Sequence, residues 1–142
     1  IDGSFTVIDD SYNASPASVR AGLEVLGAAH ITGSGRRIAV LGDMLELGNN
    51  ADCLHAGLSS DIMANGVEGV FTCGAHMRHL FDELPAGVRG GHAETSADLA
   101  LMVSKYVGPG DVVLVKGSFA SAMGHVVEKL LTVETQKRAV NG

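Results

Sequence analysis

Short apolar runs alternate along this chain with segments whose apolar residues recur every three or four positions. Residues 4–9, 38–41, 70–73, 92–94 and 111–116 read as strands. Ile38-Ala39-Val40-Leu41 and Val112-Val113-Leu114-Val115 have no polar interruption, the pattern of strands covered on both faces. Between the strands, Val19, Leu23 and Leu26 fall at helical spacing, as do Leu54, Leu58 and Ile62, and then Met77, Leu80, Phe81 and Leu84. Ser15 before Pro16 predicts an N-cap with proline at the first helical position. A helix starting near Asn50 should close at Asn65-Gly66, and Pro85 should stop the short helix before it. Ser96 with Asp98 opens a helix through Tyr106, and a last helix is expected over residues 120–131, with Met123, Val127, Leu130 and Leu131 inward. Everything after Thr132 reads as a frayed polar end. Gly33-Ser34-Gly35 and Gly108-Pro109-Gly110 are turns.

Strands alternating with helices predict βαβ units. The expected fold is α/β, a three-layer Rossmann-like domain with a mainly parallel sheet of five or six strands flanked by helices. It should occupy residues 1–135, with a polar tail over 136–142. A chain of 142 residues can bury a single core without disulfide support. Ligands of such sheets sit beyond the carboxyl ends of the strands, so polar residues there are the candidates for function.

Charge and composition narrow the class. The net charge is −6 with no Lys/Arg cluster beyond Gln136-Lys137-Arg138, which argues against a nucleic-acid partner. No window approaches the roughly 20 apolar residues that span a bilayer, and no signal sequence opens the chain, so no membrane partner and a cytoplasmic setting are expected. Cys53 and Cys73 lack C-x-x-C spacing and read as small buried hydrophobes in a reducing compartment. The chain begins at Ile1, with a strand expected within a few residues, which suggests a piece of a longer polypeptide.

Three constellations can carry chemistry. Asp9, Asp10, Ser11, Tyr12 and Asn13 place carboxylates, a hydroxyl, a phenol and an amide in one loop at a strand end, able to grip a ribose and pack a base; the bland alternative is a solvated turn. Lys116-Gly117-Ser118 sets a cation and a small backbone just before a helix N-terminus, which suits an anion, or else is a lysine turned to water. Gly42-Asp43-Met44-Leu45-Glu46-Leu47-Gly48 should border the same crevice. No G-x-x-x-x-G-K-[ST] phosphate loop and no G-x-S-x-G elbow is present, and Gly33-Ser34-Gly35 precedes a strand, so it fails as a dinucleotide fingerprint. Of six histidines only His76 and His79 are closely spaced, and no metal site is expected.

Three motifs in order resemble the C-terminal domain of the Mur ligase family: Asp9-Asp10-Ser11-Tyr12-Asn13-Ala14-Ser15-Pro16, then Leu41-Gly42-Asp43-Met44-Leu45-Glu46-Leu47-Gly48, then Leu114-Val115-Lys116-Gly117-Ser118 with Met123 further on. Related amide-forming ligases such as folylpolyglutamate synthetase carry a comparable Asp-x-x-aromatic/His-Asn pattern at the first motif. The resemblance implies a three-domain, ATP-dependent ligase of peptidoglycan synthesis that adds D-alanyl-D-alanine to UDP-N-acetylmuramoyl-tripeptide through an acyl phosphate. ATP and Mg2+ would be held mainly by the central domain, with the N-terminal and central domains as this chain's partners. It further implies that Asp9, Tyr12 and Asn13 face ATP, that Lys116, Gly117 and Ser118 border the incoming dipeptide with Asp43 and Glu46 nearby, and that no catalytic or metal-binding residue lies here. The chain alone should be inactive. A phosphoacceptor receiver domain is the rival, since Asp9-Asp10 and Lys116 fit it; its acceptor aspartate should close the third strand, where this chain reads Thr72-Cys73-Gly74.

Overall fold

Residues 5–10, 14–45, 47–118 and 121–141 are described by the computed structural model, residues 133–141 as backbone alone. Five strands, β1 (Thr6–Asp10), β2 (Arg37–Gly42), β3 (Gly69–Cys73), β4 (Arg89–Ala93) and β5 (Val112–Lys116), pair in parallel in the order β1-β5-β2-β3-β4. The helices are α1 (Pro16–Ala28), α2 (Ala51–Ala56), α3 (Leu58–Ala64), α4 (Met77–Glu83), α5 (Ser96–Tyr106) and α6 (Gly124–Asn141).

Strand alternation divides the core between two faces. Ala39, Leu41, Val70, Val112 and Leu114 pack with Val19, Leu23 and Leu26 of α1, Leu58 and Ile62 of α3, and Met77 and Leu80 of α4. On the other face Ile38, Val40, Phe71, Cys73, Val113 and Val115 meet Leu99 and Val103 of α5 and Val126 and Leu130 of α6. Apolar residues on both faces are why the sequence of β2 and β5 shows no alternation; each fully buried Leu, Ile or Val side chain contributes about 1.5–3 kcal/mol relative to exposure. The expected α/β fold is therefore what forms, with five strands.

This sorting also positions the ligand edge. The chain leaves β2 towards the α1 to α4 layer but leaves its neighbour β5 towards α6 on the opposite face. It likewise leaves β3 towards α4 and β4 towards α5. Where neighbouring strands send their connections to opposite sides, their carboxyl ends part and leave a crevice.

Ser15 caps α1 as expected, accepting from the Ser18 N–H while the Ser18 hydroxyl oxygen accepts from the Ser15 N–H, with Pro16 opening the helix. Other local expectations are corrected. The helix expected from Asn50 to Asn65-Gly66 is broken at Gly57, a poor helix former, into α2 and α3. The buried stripe there is Ala51, His55, Leu58 and Ile62, with Leu54 only partly covered. Cys53 falls on the outer side of α2 and is exposed, not buried; Cys73, on β3, is buried. α5 does run from Ser96 to Tyr106 as expected, capped by Thr95, whose hydroxyl accepts from the Asp98 N–H. β4 begins at Arg89, ahead of the expected His92, and passes over the Phe71 ring at Gly90, where a Cβ would lie 2.6 Å from Phe71 Cε1. Ala120, the expected start of the last helix, lies outside the described residues; α6 starts at Gly124, and its backbone continues to Asn141, beyond the expected end at Leu131.

Candidate functional site at the carboxyl edge of the sheet

The ends of β1 and β5 meet first. Asp10 stands opposite Lys116 in the parallel register, and the Lys116 ammonium donates to an Asp10 carboxylate oxygen. The Lys116 side chain is 1% exposed and that of Asp10 49%. Its aliphatic stem runs under α1, where Gly22 keeps the helix close: a Cβ there would lie 3.3 Å from Lys116 Cδ. Asp9, one position earlier, is exposed. Tyr12, Asn13 and Glu46 lie outside the described residues, as does Ser11.

The ends of β2 and β5 are knotted together by Ser118. Its N–H donates to the Asp43 carbonyl at 3.3 Å, and its hydroxyl accepts from the Leu45 N–H at 3.2 Å. Its carbonyl accepts from both the N–H and the hydroxyl of Ser121, at 2.9 and 2.6 Å. Gly42 and Gly117 face each other across this junction, and a Cβ on Gly117 would come within 2.6 Å of Ser121 Oγ and Met123 Cγ. The turn that follows holds Ala122 at φ 57, a conformation that non-glycine residues rarely adopt and that tends to mark functional turns.

Asp43 ties this junction to α4. Its carboxylate accepts from the Met77 N–H at 2.8 Å and the His76 N–H at 3.3 Å, serving the free N–H groups of the helix start. Gly74, at φ +107, makes the approach possible, since a Cβ there would sit within 2.5 Å of both carboxylate oxygens. Asp43 and Leu45, Cys73 and Gly74, Glu94, Thr95 and Ser96, and Ser121 line a cleft of about 250 Å³, supplied by four of the five strand ends. Burial, then the charges of Asp43, Glu94 and Asp98, push the Cys73 thiol up to about 11.

Those of the expected residues that are described lie along one edge, in two groups. Asp43, Gly117 and Ser118 lie in or beside the cleft, whereas Lys116 turns its ammonium to Asp10 on the α1 side and is not a lining residue. His55 was not foreseen. It is fully buried beneath the cleft loop, its Nε2 accepting from the Met44 N–H at 2.9 Å and its Nδ1 2.6 Å from the Ala51 carbonyl. The spacing of position 55 four after Ala51 and three before Leu58 was the available signal. His76 and His79 both contact Asp52, at 2.9 and 3.3 Å. Among the described residues no group of three or more His, Cys, Asp or Glu is placed to hold a metal ion.

Against known proteins, residues 1–119 match the family model described as Mur ligase, glutamate ligase domain. The chain is similar to the UDP-N-acetylmuramoyl-tripeptide--D-alanyl-D-alanine ligase of Mycobacterium tuberculosis, with 38% identity over 154 residues covering 92% of this chain and 29% of that protein. The ligase of the same name in Escherichia coli is 32% identical over 126 residues, covering 87% of this chain and 26% of that protein. The chain therefore spans less than a third of the length of these relatives. Among solved structures, a MurF ligase from Thermotoga maritima in complex with ADP superposes with a TM-score of 0.76 at 27% identity, covering 94% of this chain and 29% of that one. A MurF structure from Acinetobacter baumannii, at 23% identity, shares the fold with a TM-score of 0.77 over 90% of this chain and 28% of that one. The receiver alternative finds no support: β3 closes in Cys73, and Asp43, the acid after β2, has both oxygens engaged by α4.

Proposed function

Because the chain belongs to the Mur ligase family through its glutamate ligase domain, we propose that it is the C-terminal, substrate-capping domain of an ATP-dependent ligase that adds D-alanyl-D-alanine to UDP-N-acetylmuramoyl-tripeptide in peptidoglycan synthesis. On this reading the tripeptide carboxylate takes the γ-phosphoryl group of ATP, the dipeptide amine attacks the acyl phosphate, and the tetrahedral intermediate expels phosphate. Mg2+ would neutralise the phosphates from the central domain; no group of described residues in this chain is arranged to hold it. The reaction draws on cytoplasmic nucleotides, which places the enzyme in the cytoplasm. No helix among the described residues is long and apolar enough to cross a membrane.

In this proposal Asp9, Tyr12 and Asn13 face the adenosine of ATP. Asp43, Glu46, Gly117 and Ser118 border the dipeptide in the cleft. Lys116 joins the dipeptide side by its place at the end of β5, and with its ammonium engaged by Asp10 it also fastens the end of β1 beside that set. A domain with no covalent role still accelerates such a reaction, because holding amine and acyl phosphate in register removes much of the entropic barrier. Its closure excludes water that would hydrolyse the activated acid.

The observation that carries the reading is the convergence of three distant motifs on one carboxyl edge, with Asp10 against Lys116 and Asp43 hydrogen-bonded to Ser118. The test is ADP release by the gene product carrying this chain, supplied with ATP, Mg2+, the UDP-tripeptide and a panel of amine acceptors. Release that depends on D-alanyl-D-alanine supports the proposal. Equal release with D-glutamate or diaminopimelate, or none with the dipeptide, overturns it.

A further inference from the structure

Asp43 and Leu45 line the cleft on either side of buried Met44, yet the segment they form belongs to no strand or helix. Three groups hold it from three elements: Ser118 through the Asp43 carbonyl and the Leu45 N–H, the start of α4 through the Asp43 carboxylate, and His55 of α2 through the Met44 N–H. We propose that His55 is a positioning residue, a neutral imidazole that latches segment 43–45 onto α2 and releases it on protonation. The latch is independent of the ligase reading.

The hydrogen-bond inventory sets the chemistry. Nδ1 lies 2.6 Å from the Ala51 carbonyl, an acceptor only, so Nδ1 carries the proton. Nε2 must then present its lone pair, and the Met44 N–H fills it. Both ring nitrogens are used, and the residue is fully buried. A second proton can go only to Nε2, where it sets a donor against the Met44 N–H. The two cannot share a hydrogen bond, so one must leave, and in a buried site the displaced N–H is costly to leave unpaired. The switch is therefore all-or-none at the level of one hydrogen bond.

The charged neighbours decide when it operates. Asp43 from the end of β2 and Asp52 on α2 itself favour the charged imidazole, while His76 of α4 opposes it. His79 of α4 acts on Asp52. Arg78 and Asp82 of α4 pair with each other, and Asp61 of α3 pairs with Arg20. His76 stacks on His55 with ring centroids 5.3 Å apart and is held above the usual histidine range by its hydrogen bond to Asp52, whereas burial holds His55 below it. As pH falls, His76 gains its charge first and delays His55. The sign follows: below about 6.5 the unfolded chain binds a proton that folded His55 resists, so the latch loses stability as pH drops.

Amide exchange and imidazole nitrogen shifts of the chain itself, followed by NMR from pH about 7.5 to 4.5, test the latch. The expected result is an Nδ1–H tautomer at the upper end, with Met44 amide protection that falls about tenfold or more on acidification, after correction for intrinsic exchange, while the Val40 and Leu114 amides of the sheet stay protected. His55→Gln keeps an acceptor for the Met44 N–H and should retain protection without the pH dependence. His55→Leu should lose it at every pH. An Nε2–H tautomer, or Met44 protection that ignores pH in the parent chain, overturns the proposal even if His55→Leu fails to fold. No ligase substrate enters these readouts, so a failed latch and a failed ligase assignment are distinguishable.

Discussion

Asp10 and Lys116, 106 positions apart in sequence, are paired at the ends of β1 and β5, and their ion pair joins a buried ammonium to a half-exposed carboxylate. That asymmetry makes the two residues unequal. Replacing Asp10 by Asn weakens the compensation of a buried charge, so it should cost about 1–2 kcal/mol, less than the roughly 3–5 typical of a fully buried pair because water reaches the carboxylate. Lys116→Met keeps the stem under α1 and leaves Asp10 to solvent, and should cost less than about 1 kcal/mol. Urea unfolding of the two variants measures the difference; a larger loss for Lys116→Met would contradict it.

Gly74 and Asp43 are coupled in the same way. Alanine at position 74 must both hold a positive φ and displace the Asp43 carboxylate, which deprives α4 of its acceptors. Asp43→Ala alone removes a helix-start acceptor, worth about 0.5–2 kcal/mol. In the Asp43→Ala background, Gly74→Ala should cost clearly less than it does in the parent chain, because the clash has gone and only the backbone strain remains. A double-mutant cycle by thermal unfolding reads the coupling.

At the β2–β5 junction there is no room to spare. Gly117→Ala drives a methyl into Ser121 Oγ and Met123 Cγ, neither the tip of a long side chain, and should destabilise by about 1–3 kcal/mol while shifting the Ser121 and Ser118 amide resonances. Gly33→Ala, with nothing within 4 Å but φ +55, is the control for strain without a clash.

The two cysteines should behave oppositely. A thiol reagent at pH 8 is expected to modify exposed Cys53 and spare buried Cys73, as mass spectrometry of the labelled chain would record. Cys73 also sets an alkaline limit. Its thiol stays protonated to about 11 when folded but ionises near 9.0 when unfolded, so stability should fall as pH rises between those values. Cys73→Ala should flatten that decline.

Much of this was legible in the chain because it is local. Uninterrupted apolar runs announce strands with two covered faces, and Ser15-Pro16 announces a capped helix with no long-range help. What was not legible depends on partners distant in sequence. Lys116 turns to Asp10 instead of the cleft because register places Asp10 opposite it and α1 covers its stem. The spacing of position 55 places His55 on the buried stripe of α2, but its partner, the Met44 N–H, lies on a loop that no spacing along α2 reveals. β4 extends further back than expected, to Arg89, through Gly90, whose missing side chain admits the Phe71 ring of β3, a neighbour that the local sequence does not name.

Ser121→Leu in the gene product carrying this chain asks most directly whether the cleft between the strand ends receives the dipeptide. Ser121 lines that cleft from the β5–α6 turn, and a leucine there would fill part of its volume of about 250 Å³. The account predicts a Michaelis constant for D-alanyl-D-alanine raised about tenfold or more, with those for ATP and the UDP-tripeptide within about twofold of the parent. An unchanged constant for the dipeptide, in a variant that folds, would contradict it.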